Sequence, residues 1–177
     1  MLMIQLTSAS AVAQHDARAA SPATSGRSGA SVQADSVLTV RRADGTMARL
    51  TPAQLRALPR RTVQATSHGK TASYEGSDVR AVLAAAAVSG VAPADSLRGP
   101  GVALVLVATG ADGYRASFAL AELDPSIGGR AVLVVDRENG IPLPAADGPW
   151  RLVVASDARP SRWVHGLVRL EVVLPGR

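Results

Sequence analysis

Val102–Thr109 (VALVLVAT), Gly110, Ala111-Asp112-Gly113 and Tyr114–Phe118 (YRASF) form one continuous reading of strand, turn and strand. The first run is apolar throughout and bounded by Gly101 and Gly110. Eight such residues are too few for a core helix, and the Val content suits a strand buried on both faces. Asp-Gly then turns the chain, because Gly takes the positive φ that a tight hairpin demands. The same pattern recurs on either side. Ala131–Asp136 (AVLVVD) is a second apolar run, followed by the turn Asn139-Gly140. Ser36–Arg42 (SVLTVRR) alternates and leads to Asp44-Gly45, with Met47–Leu50 as its return. Arg61–Ser67 and Thr71–Glu75 are strands joined at His68-Gly69-Lys70, with Gly76 as the expected end of the second. Trp150–Ala155 and Trp163–Leu174 supply the last strands.

Helices are few and short. Thr51-Pro52-Ala53-Gln54 opens one, with Thr as the cap, Pro at the first helical position and Gln54 completing a capping box. Pro59 ends it. Ser77-Asp78 opens another, and Val79, Val82, Leu83 and Ala86 repeat at helical spacing. Leu120–Leu123 is a single turn. Strands outnumber helices and several connections are hairpins. The expected class is α+β with a mixed, largely antiparallel sheet core and no regular βαβ alternation.

The 177 residues allow one domain and a tail. The aromatic residues are Tyr74, Tyr114, Phe118, Trp150 and Trp163 alone, so Val, Leu and Ala must fill a core drawn from 47% apolar residues. The formal net charge is +5, and Lys70 is the one lysine among 19 bases. An arginine bias with this much Ala and Gly reflects a GC-rich coding sequence before it reflects a basic function. The positive balance favours a small anionic ligand or an acidic partner. No Lys/Arg run or interleaved aromatic platform points to nucleic acid. No apolar stretch is long enough for a transmembrane helix.

The absence of Cys excludes disulfides, thiol nucleophiles, iron–sulfur clusters and thiolate metal sites. The three histidines at 15, 68 and 165 are too scattered for a zinc site. Phosphate-loop, dinucleotide, zincin and nucleophile-elbow motifs are all missing. Ser67 and His68 are neighbours on a strand and should face opposite ways. Asp136 and Glu138 flank a turn, where acids are ordinarily solvated.

Residues 1–13 read as a partial signal peptide. A short apolar start precedes Ala11-Val12-Ala13, a small-x-small cleavage pattern with Gln14 as the mature start, though the basic n-region is missing. The alternative is an Ala/Ser-rich leader without a targeting role. Residues 14–35 are poor in large apolar side chains and read as a disordered linker. The compact domain is expected over residues 36–177, in a periplasmic or secreted protein, otherwise a cytoplasmic one.

Six motifs in order carry a family resemblance. They are Leu50-Thr51 with Leu55, Leu58 and Pro59; Tyr74-Glu75-Gly76 with Val79–Leu83; and Ala111-Asp112-Gly113-Tyr114 with Leu120 and Leu123. Then come Asn139-Gly140-Ile141-Pro142-Leu143, Gly148-Pro149-Trp150-Arg151-Leu152-Val153-Val154, and Arg162-Trp163-Val164-His165-Gly166-Leu167 with Glu171-Val172. Together they resemble the oxidoreductase molybdopterin-binding domain, the catalytic-domain fold of the sulfite oxidase superfamily. The resemblance implies that fold and a molybdopterin (molybdenum cofactor) site. It also implies a molybdenum-ligating Cys just after the strand Val63–Ser67, where this chain has none. His165 stands where the family often carries a Lys near the pterin phosphate, and Tyr74 replaces its Trp.

The cofactor-binding candidates that follow are His68 and Lys70, on the loop where the metal would approach, together with Tyr114, Arg151, Arg162 and His165. No metal ligand is assigned. Arg151, Arg162 and His165 would form an anion clamp if their strand ends converge. All but Arg162 have a plainer reading. Arg151 pairs with an acid on the sheet, His165 is a satisfied histidine on a terminal strand, and His68-Gly69-Lys70 is a polar turn. Tyr114 is a core ring with its hydroxyl at the rim. Two functions remain: a ligand- or partner-binding module without thiolate-ligated molybdenum, and a divergent oxidoreductase holding molybdopterin through pterin and phosphate contacts.

Overall fold

The computed structural model describes residues 36–92 and 95–176. The expected signal and linker over residues 1–35 lie outside the described residues. Two five-stranded sheets make the frame. The first has the order β2–β1–β10–β5–β6, from β1 (Leu38–Arg41), β2 (Met47–Leu50), β5 (Val105–Gly110), β6 (Arg115–Ala119) and β10 (Leu167–Val173). The second runs β3–β4–β7–β8, with β9 also paired to β7. Its strands are β3 (Arg60–Ser67), β4 (Lys70–Asp78), β7 (Val132–Glu138), β8 (Ile141–Pro142) and β9 (Arg151–Val154). Only β1 and β10 pair in parallel among the named strands. The fold is α+β, mixed and largely antiparallel, as the sequence predicts.

The turn chemistry explains the hairpins. Gly45, Gly113 and Gly140 all have positive φ, the conformation that glycine adopts without Cβ strain. Helix α1 (Pro52–Arg56) begins with the full Thr51–Gln54 capping box. Helix α2 (Val79–Ala85) is capped by Asp78, whose side chain accepts from Arg80 N–H. Helix α3 (Leu120–Leu123) is the expected single turn. Buried side chains from both sheets and all three helices form one apolar cluster.

Three local expectations are corrected. Val102 and Ala103 belong to a 3-10 turn, and β5 alternates half-buried and buried residues instead of being buried on both faces. One face of its sheet has no covering layer among the described residues, so Val105 and Val107 stay partly open. The buried run is β7, where Val132–Val135 are enclosed. Gly76 does not end its strand. It sits inside β4 at a register shift against β7, and an added Cβ would lie 2.1 Å from the Val134 carbonyl oxygen. Asp136 is not solvated either: its side chain is 11% exposed and bonded to Arg60.

Candidate functional site

The tip of the β3–β4 hairpin leans over the loop that follows β9. Between them lies a groove of about 490 Å³ lined by Thr66, His68 and Gly69 on one side and by residues 158–161, Arg159 among them, on the other. His68 and Gly69 both have positive φ, 50° and 77°. His68 therefore leaves the strand geometry, and its Nδ1 lies 3.0 Å from Ser67 Oγ. Strand alternation did not anticipate that contact. The pair is exposed and, among the described residues, no carboxylate orients the ring, so the third group of a nucleophilic site is lacking there. Thr66 Oγ1 is engaged with Thr71 Oγ1 at 2.8 Å. Lys70 opens β4 beside the groove. Arg159 is exposed and makes no ion pair among the described residues.

Tyr114 approaches from the other sheet. It is 47% exposed, and its hydroxyl donates to the Ser161 carbonyl at the groove's edge. It is a strut on the surface, not a core ring. The loop after β9 is thus tied to the β5–β6 hairpin.

The expected clamp divides into two separate ion-pair systems. Arg151 is buried. Its guanidinium carbon lies 5.0 Å from the Trp163 ring centre and 5.5 Å from that of Tyr74. Those two rings meet edge to face at 5.2 Å. Glu138 and Asp147 approach the guanidinium at 3.6 and 3.7 Å, and Arg151 Nε is buried without a hydrogen-bond partner. His165 Nδ1 is 2.7 Å from Asp147 Oδ1. Arg151 and His165 therefore share Asp147. Burial, with Glu138 beside it, holds the Tyr74 hydroxyl above its ordinary pKa, against the attraction of Arg151.

Arg162 belongs to the other system. It donates from Nε and Nη2 to Asp157 at 2.8 and 2.6 Å, and from Nη1 to Glu122 at 3.3 Å. Arg130 closes a four-membered ring, reaching Glu122 at 3.0 Å and Asp157 at 2.9 Å. Asp157 hydrogen bonding is the leading cause that raises the Arg162 pKa, against desolvation. Sequence reasoning missed the partners: Glu122 is 40 residues away from Arg162, and no local pattern announces the pair.

No family model matches the sequence, and no curated protein matches it. Among solved structures, the chain matches the sulfane dehydrogenase SoxCD from Paracoccus pantotrophus with a TM-score of 0.60 and 20% identity. The match covers 80% of this chain and 39% of that one. The fold is of the sulfite-oxidase type. At that identity the likeness speaks for the fold alone, and the chain spans well under half the length of its neighbour.

The residues present do not fit a thiolate-held molybdenum cofactor. The positions after Val63 are Gln64, Ala65, Thr66 and Ser67, and the chain has no Cys. Among the described residues no group of His, Asp and Glu converges as metal ligands. The cations expected near a pterin phosphate already face carboxylates: Arg151 and His165 share Asp147, and Arg162 is held by Asp157 and Glu122. An incoming phosphate there would meet those acids first.

Proposed function

We propose that this chain is an exported binding module on the sulfite-oxidase-type fold, taking a small anionic ligand without thiolate-ligated molybdenum. The groove between the β3–β4 tip and the loop after β9 carries the reading. His68 and Arg159 line it, Lys70 stands beside it, and no carboxylate lines it. An anion seated there would take forked guanidinium donors and the free imidazole edge without displacing an existing acid. The Arg151–His165 cluster offers no such place.

Molybdenum analysis of the protein purified from its own host is the deciding experiment. We expect well under stoichiometric metal and no sulfite oxidation. In parallel, phosphate titration followed by NMR should move His68 and the Arg159 side chain, with affinity falling as salt rises. Arg159→Ala should weaken binding by about 1–3 kcal/mol, the scale of a charge-assisted hydrogen bond. Stoichiometric molybdenum with turnover would favour the second reading, a divergent oxidoreductase holding molybdopterin through pterin and phosphate contacts. One observation supports that alternative: the groove opens at the turn where the family resemblance places the metal. Export rests on Ala11-Val12-Ala13, and mass spectrometry of the native protein should find a start near Gln14.

A further inference from the structure

The outer face of the first sheet carries an organised row of cations. Side chains of Leu38, Val40, Leu50, Leu106, Leu170 and Val172 point into the core, so their neighbours along each strand point out. Register then aligns the outward residues across all five strands. One row reads Arg49, Thr39, Arg169, Thr109, Arg115. The next reads Met47, Arg41, Glu171, Val107, Ser117. With strands about 4.8 Å apart, the three arginines of the first row project at intervals of about 10 Å.

Four guanidinium groups share this face with one carboxylate. Glu171 is 3.6 Å from Arg115 and 3.8 Å from Arg169, beyond hydrogen-bond range, and those arginine side chains are 61% and 51% exposed. Arg41 and Arg49 make no ion pair among the described residues. Within the row, Thr109 Oγ1 is buried without a hydrogen-bond partner. Met47, at 65% exposure, adds apolar surface at the β2 edge of the second row, and half-buried Val107 adds some three strands further along it.

We infer that this face docks an acidic protein segment, one presenting a row of carboxylates next to apolar side chains. Charge complementarity supplies the argument. The excess of three positive charges makes a second copy of the same face repulsive. The absence of aromatic side chains removes the stacking platform that single-stranded nucleic acid needs. Glu171 opposes carboxylate and phosphate alike, and it is the exposed Met47 that a phosphate backbone leaves unused and a mixed acidic and apolar segment covers. None of these residues lines the groove, so the inference stands apart from the proposed ligand site.

The test uses the full chain and four probes: a soluble peptide alternating Glu and Val, poly-L-glutamate, duplex DNA, and phosphatidylglycerol vesicles. The expected result is saturable binding of the alternating peptide, with NMR shifts confined to the β2–β1–β10–β5–β6 face. Arg49→Glu with Arg169→Glu should weaken it roughly tenfold or more while the rest of the spectrum is unchanged. Arg49→Lys with Arg169→Lys should retain most of it. Tighter binding of DNA or vesicles than of either peptide would overturn the inference, as would peptide shifts centred on His68 and Arg159. Dimerisation through this face, or movement of residues 1–35 caused by the charge reversal without any probe, would assign the face to the chain itself and overturn it too.

Discussion

The Arg151 guanidinium is held 5.0 Å from the centre of the Trp163 ring while Glu138 and Asp147 approach it at 3.6 and 3.7 Å. Rings stabilise a cation over their faces, and the carboxylates balance its charge. The arrangement joins β4, β7, β9 and the segment before β10 at one point. It makes Arg151 a structural centre with little capacity for an added anion.

Arg151→Met should therefore cost about 2–3 kcal/mol, because it keeps the volume but leaves Glu138 without its cation and Asp147 with His165 alone. Urea unfolding measures the loss. The same variant should push the Tyr74 hydroxyl further up, since Arg151 is the group that draws its pKa down. Tyr114 is the only other tyrosine, so an ultraviolet titration resolves the step. An unchanged Tyr74 would refute the coupling.

Asp124 predicts an acid limb to stability. Its carboxylate accepts from the Ser126 hydroxyl, Leu97 N–H and Ser126 N–H, and these bonds lower its pKa from 3.8 to about 2. The folded state thus binds the proton more weakly than the unfolded chain. The contribution is full above the ordinary carboxylate range and disappears as pH falls towards 2. Asp124→Asn should lower Tm at neutral pH and flatten the acid limb, measured by calorimetry across that window.

Local chemistry was legible in the sequence and distant pairing was not. The Asp44-Gly45 and Asn139-Gly140 turns and the Thr51 capping box depend on neighbours along the chain, and all appear as expected. The β7 run was readable because four consecutive apolar residues leave no solvent face. The arginine rows depend on which strands lie side by side, and no single segment encodes that. Whether Arg162 meets Arg151 and His165 is likewise not a local property, because Arg162 finds Glu122 and Asp157 through tertiary packing. The Ser67–His68 contact was hidden by the assumption of strand alternation, which the positive φ of His68 breaks.

Gly76→Ala should be severe, although glycine in a strand is ordinarily replaceable. The added Cβ would overlap the Val134 carbonyl at 2.1 Å and the Val135 Cα at 2.5 Å, both backbone atoms that cannot rotate away. β4 and β7 would have to separate at the register shift. A loss of about 3 kcal/mol is expected, at the upper end of overpacking costs. Gly140→Ala, where no heavy atom lies within 4 Å but φ is +79°, should cost about 1 kcal/mol from backbone strain alone. Equal effects at the two sites would contradict the steric account.

The charge ring around Arg162 provides the last prediction. Arg162 and Arg130 each touch both Glu122 and Asp157, so deleting one arginine leaves two acids facing one cation. The Arg162 side chain is 30% exposed, so water compensates part of the loss. Its guanidinium also sits 4.8 Å from the Phe118 ring centre. Arg162→Ala should cost about 1–2 kcal/mol of stability, as charge-assisted hydrogen bonds and ring contact are lost together. Arg162→Ala with Asp157→Ala should cost less than the sum of the singles, because the pair is removed as a unit. Phosphate binding in the groove should survive Arg162→Ala in the folded fraction and weaken in Arg159→Ala. The opposite ranking would return Arg162 to the ligand site and remove Arg159 from it.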